Sequence, residues 1–332
     1  MTSPNGITWT ARAAPEANSL RSVCWSPELS LFCAVSSDGT NRVMISQNPA
    51  IPDARLLNLN AGLCNGRLTL TSGTAVTTSD VTGATSIYFT PYLGNRISLY
   101  DGANWKFYTF TERTLALGTL TASLPYDVFI YDNSGTLTME SLAWTNGTTR
   151  ATALVLQDGV LSRTGSLTRR YLGTFFTTAT TTTEDSASKR HVWNMYNRER
   201  RNLLANDATV SWTYTTDTWR QANGISANQV SVIAGQPTLV EANLQALSHS
   251  SDASNRFSAI GVGSTSSASG DTLGYRAGGS YADYGFATIK TFQPAGYQYY
   301  AWIERSTASG TTTWYGTSGA AYKSGIHGSI FN

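Results

Sequence analysis

Asn-Gly and Asp-Gly dipeptides punctuate this chain at Asn5-Gly6, Asp38-Gly39, Asn65-Gly66, Asp101-Gly102, Asn146-Gly147, Asp158-Gly159 and Asn223-Gly224. Each suits the centre of a two-residue hairpin turn, where positive φ at both positions matches the twist of the flanking strands. The runs between them are short and rich in Val, Ile, Thr, Tyr and Phe, which fit a pleated, half-buried surface. The chain therefore reads as strand, turn, strand. No strand–helix–strand rhythm points to a doubly wound α/β enzyme. The expected class is all-β.

Charged residues make up only 13% of the 332 positions, against about 25% in ordinary globular chains. Thr, Ser, Asn and Gly replace them, as in Thr180-Thr181-Thr182-Thr183. Such neutral polar surfaces suit contact with another subunit or a sugar. The net charge of +2 gives no general electrostatic attraction to nucleic acid or to an anionic membrane. No apolar run of about 18 residues occurs, so no membrane-spanning helix is expected. Met1-Thr2-Ser3-Pro4-Asn5 lacks the basic start and apolar stretch of a secretory signal.

Three segments follow. Residues 1–60 hold an internal echo: Met1, Ser3 and Asn5 recur as Met44, Ser46 and Asn48, an offset of 43 residues. That period matches one β-propeller blade. A single blade cannot close a propeller, so this blade-like unit must lean on a partner. A turn at Glu28-Leu29 would place Trp25 opposite Phe32 and Cys24 opposite Cys33. Reduced thiols packed as small apolar groups are the favoured reading, with a disulfide the alternative. Residues 61–185 form a middle β domain ending in a Thr-rich tract, taken as the boundary. Residues 186–332 form a jelly-roll-like β-sandwich, with strands every 8–14 residues. Within it, residues 186–204 admit a helix or a strand. Val192, Asn194 and Tyr196 would share one strand face against Trp193 and Met195, and β signals on both sides favour the strand.

Chemistry is hard to place. His191, His249 and His327 stand alone, and no His-x-x-x-His or paired-cysteine spacing suggests zinc. There is no Gly-x-Ser-x-Gly elbow, Walker loop or dinucleotide fingerprint. Glu184, Asp185, Glu241, Asp252 and Glu304 are candidates for a glycoside-cleaving pair, but spacing brings no two together. No catalytic, cofactor or metal residue is assigned. The basic cluster Lys189, Arg190, Arg198, Arg200 and Arg201 reads more simply as a collar of exposed charge, or as salt bridges to Glu184, Asp185 and Glu199 across subunits, than as a nucleic-acid site.

Aromatic residues are the better lead. In 297–304, Tyr297, Tyr299, Ala301 and Ile303 share one face, and Gln298, Tyr300, Trp302 and Glu304 the other. A jelly roll buries one face of each sheet, so rings on both faces call for a neighbouring subunit. Tyr297, Tyr299, Tyr300, Trp302 and Trp314 are accordingly candidate interface residues. Sugar stacking is the competing account. Loops near 264–284 concentrate Gly, Ser and Tyr, and Tyr275, Tyr281 and Tyr284 offer adaptable contact area.

Several segments resemble a known family. AWTNGTTRATALVLQDGVL (143–161), RRYLGTFFTTATTTTEDSASKRHVWNMYNR (169–198) and LTSGTAVTTSDVTGATSIYFTPYLGNRISLYDG (70–102) are similar to β modules shuffled among tailed-bacteriophage virion proteins. Those modules occur in fibre, tail and head-associated proteins. ITWTARAAPEANSLRSVCWSPELSLFCAV (7–35) resembles a repeating aromatic blade of related proteins. YYAWIERSTASGTTTWYG (299–316), followed by SGIHGSIFN, resembles a terminal appendage domain. The resemblance implies a homotrimer displayed on the virion and made in the bacterial cytoplasm. It further implies an N-terminal part anchored to other virion proteins and a C-terminal domain meeting host-surface glycan or protein. No enzyme activity, cofactor, nucleic-acid partner or membrane insertion is expected. The blade occurs once rather than in tandem, and long heptads or collagen-like repeats are absent. A short tail fibre or spike is therefore the expected role. A capsid decoration or head-fibre protein is the alternative, and a surface-polysaccharide depolymerase a more distant one.

Overall fold

The structure, a computed structural model, describes residues 18–26, 31–40, 42–45, 61–252, 255–269, 273–274, 276–277, 281–307, 309–317 and 323–332. Its regular elements are strands, apart from one short 3-10 turn at Ala222–Gly224. The chain divides into two compact units, Met1–Leu59 and Asn60–Asn332.

In the first unit Leu20–Ser26, Leu31–Ser36 and Val43–Ile45 form an antiparallel meander. Cys24 pairs with Cys33 and Trp25 with Phe32, the register expected from the sequence. The two rings lie 4.7 Å apart, and both cysteines are free thiols. Residues 27–30, which include the expected turn, lie outside the described residues.

In the second unit residues 200–331 build a β-sandwich. One sheet sets Gln229–Ala234, Gly296–Ser306 and Arg256–Val262 side by side. The facing sheet runs Arg200–Asn206, Gly325–Phe331, Thr238–Ser250, Asp283–Gln293. Period-2 alternation decides what is buried. Val240, Ala242, Leu244 and Ala246 point inward from one strand, to meet Val230, Val232, Ile260, Tyr300 and Trp302. The middle segment has its own core, built on Leu68, Ile87, Phe89, Val128, Ile130 and Phe175.

The boundary expected at 185 does not separate two bodies. Asp185 pairs in register with Arg190 across a hairpin. A third apolar cluster joins Phe129, Tyr171 and Phe176 to Trp193, Ile233 and Ala234. The physical reason is that the stretch Gly173–Phe175 of the strand Ser166–Ala179 is paired on both sides, with Pro125–Asn133 and with Val192–Asn194. Gly173 permits the second: a Cβ there would lie 2.1 Å from the Trp193 carbonyl oxygen. Among the described strands one pairing is parallel, Lys189–Arg190 against Gln229–Ala234.

Within 186–204 the regular elements are the strands Lys189–Arg190 and Val192–Asn194 and the start of Arg200–Asn206, with a bend at 195–197 and no helix. Val192 and Tyr196 enter the middle core, while Trp193 and Met195 enter the bridging cluster. That division is the alternation the sequence suggested. The Asx-Gly turns fared less uniformly. Asp158-Gly159, with φ of 50° and 83°, is the two-residue hairpin turn between Gln157 and Val160. Asn223-Gly224 also has positive φ at both positions but lies in the 3-10 turn. Gly66 instead starts a strand. Its Asn65 neighbour accepts from the Tyr92 N–H at 2.8 Å, so a loop contact replaces the turn.

Candidate binding surface

Both faces of Gly296–Ser306 are covered by the chain itself. Tyr300 and Trp302 are fully buried between the sandwich sheets. On the other face Tyr297 stacks on Phe176 at 4.2 Å and lies edge-on to His191, and Tyr299 packs beside Trp219. Trp314 is fully buried, its indole N–H donating to the Tyr214 carbonyl at 3.1 Å. Tyr300, Trp302 and Trp314 therefore offer no surface to a neighbouring subunit. The second layer they called for comes from residues 171–219, and Tyr297 and Tyr299 are half-buried against that layer.

The exposed rings lie elsewhere, on the outer face of the sandwich. Along Asp283–Gln293, Tyr284, Phe286, Thr288, Lys290 and Phe292 face out, while Ala287 and Ile289 face the core. Register builds rows across four strands: Asn202, Ser329, Glu241, Lys290; then Leu204, His327, Asn243, Thr288; then Asn206, Gly325, Gln245, Phe286. Leu239 pairs with Phe292, and Arg200 with Phe331. Phe292 is 70% exposed, Phe286 51%, Phe331 48% and Leu204 44%. These four side chains frame a polar centre. There Lys290 Nζ meets Glu241 Oε1 at 2.6 Å and Arg200 Nη2 approaches Oε2 at 3.7 Å. The Lys290 hydrogen bond and charge hold the Glu241 carboxyl below its usual range. Thr288 Oγ1 donates to Asn243 Oδ1 at 2.7 Å.

Of the tyrosines proposed for contact, Tyr281 is 81% exposed. Tyr284 is half-buried and stacked on Phe286 at 6.0 Å, and Tyr275 lies outside the described residues. The phenylalanines were missed because apolar residues in a strand read as core. The available signal was the pattern in GFATIKTF, which puts small Ala287 on one face and large Phe286 and Phe292 on the other.

The candidate acids do not converge. Glu304 is fully buried. Its Oε1 accepts from Arg220 Nε at 2.9 Å and the Asn223 N–H at 3.1 Å, and the Trp212 indole N–H reaches Oε2 at 2.9 Å. Glu241 projects from the outer face of the opposite sheet. Glu184 is tied to Lys189 at 3.0 Å, and Asp185 to Arg190 and Arg201, each at 3.2 Å. Most of the basic cluster is thus paired within the chain. Among the described residues, no group of three or more His, Cys, Asp or Glu is placed to hold a metal ion. No helix there is long and apolar enough to cross a membrane.

Two buried groups set opposing pH dependences. Burial pushes the Glu304 carboxyl from 4.5 up to about 7, against the pull of Arg220 and the Trp212 hydrogen bond. Between those values the folded chain holds a proton that the unfolded chain has released, so stability falls as pH rises. Burial, reinforced by Lys189, pushes His191 from 6.5 down to about 3; its Nε2 lies 2.8 Å from Ser231 Oγ. There the unfolded chain binds the extra proton, so stability rises with pH. The two slopes oppose each other between pH 4.5 and 6.5. Glu304→Gln removes the first. Relative to the parent, its unfolding free energy should gain on the order of 3 kcal/mol from pH 4.5 to 7. Urea titrations at several pH values measure this, and parallel profiles for the two proteins would refute it.

No protein-family model matches the chain, and no curated protein matches it. A comparison with solved structures finds a likeness to the structure of the infectious bursal disease virus Gx strain. It has 10% identity over 85% of each chain and a TM-score of 0.15. A likeness at that level carries no argument.

Proposed function

We propose that this chain is a non-enzymatic structural protein of a tailed-phage virion. It forms a homotrimeric surface appendage that attaches to the particle and contacts the host surface. The observation that carries the oligomer is the outer sandwich face. Phe286, Phe292, Phe331 and Leu204 stand exposed on a rigid sheet whose other face is core. Exposed apolar side chains set around the Glu241–Lys290 polar centre give this face both the apolar and the polar contacts of an interaction surface. A heterologous interface closes into a ring when its rotation allows. Tyr281, at the edge of that sheet, remains the candidate for contact with host glycan or protein. The module resemblances at 70–102, 143–161 and 169–198 supply the virion context.

Light scattering on the purified chain should give about 107 kDa, three times the 35.7 kDa chain mass. Phe292→Asp combined with Phe331→Asp should reduce this to one chain, because two charges would have to be desolvated at the interface. A parent protein with the mass of one chain sinks the trimer. Antibody labelling of virions tests the location: label at the tail supports the appendage, and uniform label over the head supports a capsid decoration protein instead.

A further inference from the structure

The hairpin of Arg96–Tyr100 and Trp105–Thr109 carries an open cavity of about 350 Å3, lined by Leu63, Arg96, Phe107, Tyr108 and Thr109. Pairing of Arg96 with Thr109 and of Ser98 with Phe107 puts Arg96, Phe107 and Thr109 on one face, while Tyr108 pairs with Ile97 on the other. Leu63 joins them because its carbonyl accepts the Ser98 N–H at 3.0 Å. On the opposite face Ile97 and Leu99 are locked in the core, so the floor is rigid. Phe107 is 47% exposed and pairs with the buried Ser98, so its ring is partly open to solvent at the cavity.

Electrostatics single out Arg96. Its guanidinium makes no hydrogen bond or ion pair among the described residues. Two acids of this region are engaged elsewhere: Asp101 with Lys106 at 2.8 Å, and Asp132 with the Tyr108 hydroxyl at 3.0 Å. An unpaired fork of donors beside an open aromatic face is a two-point site. The volume is at the small end for a ligand pocket.

We propose that this cavity binds a small ring carrying a carboxylate, with Arg96 holding the carboxylate and Phe107 the ring face. The planar guanidinium matches a carboxylate in a bidentate pair, and the Phe107 face packs on a flat ring. Thr109 adds a hydroxyl at the rim. An acidic sugar and an aromatic acid share this chemistry.

Isothermal titration and saturation-transfer NMR on the full chain separate them, with methyl glucuronide and benzoate as probes and methyl glucoside and acetate as controls. At least one acid should bind with a dissociation constant on the order of 1 mM. The glucoside and acetate should bind about tenfold more weakly. Preference between the two acids identifies the source. Arg96→Ala and Phe107→Ala should each weaken binding by about tenfold, and both are surface changes that should leave the melting temperature in place. Three results overturn the proposal: neither acid binds, acetate binds as tightly as the ring acids, or binding survives Arg96→Ala. The cavity lies on a different sheet from the outer sandwich face. Its failure therefore leaves the oligomer mass unchanged, and the two readings fall separately.

Discussion

Asp127→Ala should destabilise the second unit by about 3–5 kcal/mol, because it strands a buried guanidinium. Asp127 is buried and takes the Arg150 Nε at 2.7 Å and the Thr174 hydroxyl at 2.7 Å. Arg150 lies over the Trp144 ring at 4.3 Å, and its Nη2 donates to the Gly235 carbonyl at 2.6 Å. Without the carboxylate that charge keeps its burial and loses its counter-ion. Asp127→Asn should cost less, since an amide oxygen still accepts. A double-mutant cycle of Asp127→Ala with Arg150→Ala isolates the coupling, and a value near zero would refute the account. The network ties residues 127–174 to Gly235, on the far side of the Thr-rich tract. Fluorescence and circular dichroism should therefore report one transition for residues 60–332, and two would restore a boundary at 185.

Trp302→Ala should cost a similar amount, about 3–5 kcal/mol, through the cavity left between the sandwich sheets. Trp302 is fully buried and meets Trp212 edge to face at 5.6 Å. Trp212 in turn donates to Glu304, so the loss also loosens the cover over a buried carboxylate. Trp302→Phe is the sharper comparison. The Trp302 indole nitrogen has no hydrogen-bond partner among the described residues, so this change removes bulk without stranding a partner. It should cost a fraction of the alanine value. If the two variants are equally destabilised in urea, packing around the ring is not what Trp302 contributes.

The local patterns were legible in the sequence wherever period 2 ran without interruption. Val192 to Tyr196 split between two cores as the alternation requires, and Trp25 and Cys24 met Phe32 and Cys33. What covers a strand's second face is not written in that strand. Rings on both faces of 297–304 fitted an oligomer and an intramolecular layer equally well. The layer comes from Phe176, His191 and Trp219, more than seventy residues upstream. The Asx-Gly rule failed where a side chain or loop gave the backbone another hydrogen bond, as at Asn65. At the surface, Tyr281 was legible from its Gly- and Ser-rich setting. Phe286 and Phe292 were not, because hydrophobicity does not say which side of a sheet is dry. Arg96 and Phe107 depend on a register that a two-residue Asp101-Gly102 turn would have misplaced, because the loop takes four residues and pairs Tyr100 with Trp105.

The placement of Gly325–Phe331 has a consequence for how the chain is made. It sits between Arg200–Asn206 and Thr238–Ser250, with Arg200 and Ser329 in contact across 129 residues of sequence. Until that strand arrives, both neighbours present unpaired edges and the Val240–Ala246 stripe lies open along one side. A ribosome delivers the chain in order, so the sandwich cannot close while residues 207–324 are being made. The nascent chain must be kept apart from its copies for that interval, because open edges pair indiscriminately. Closure of the sandwich is in this sense timed by the strand Gly325–Phe331.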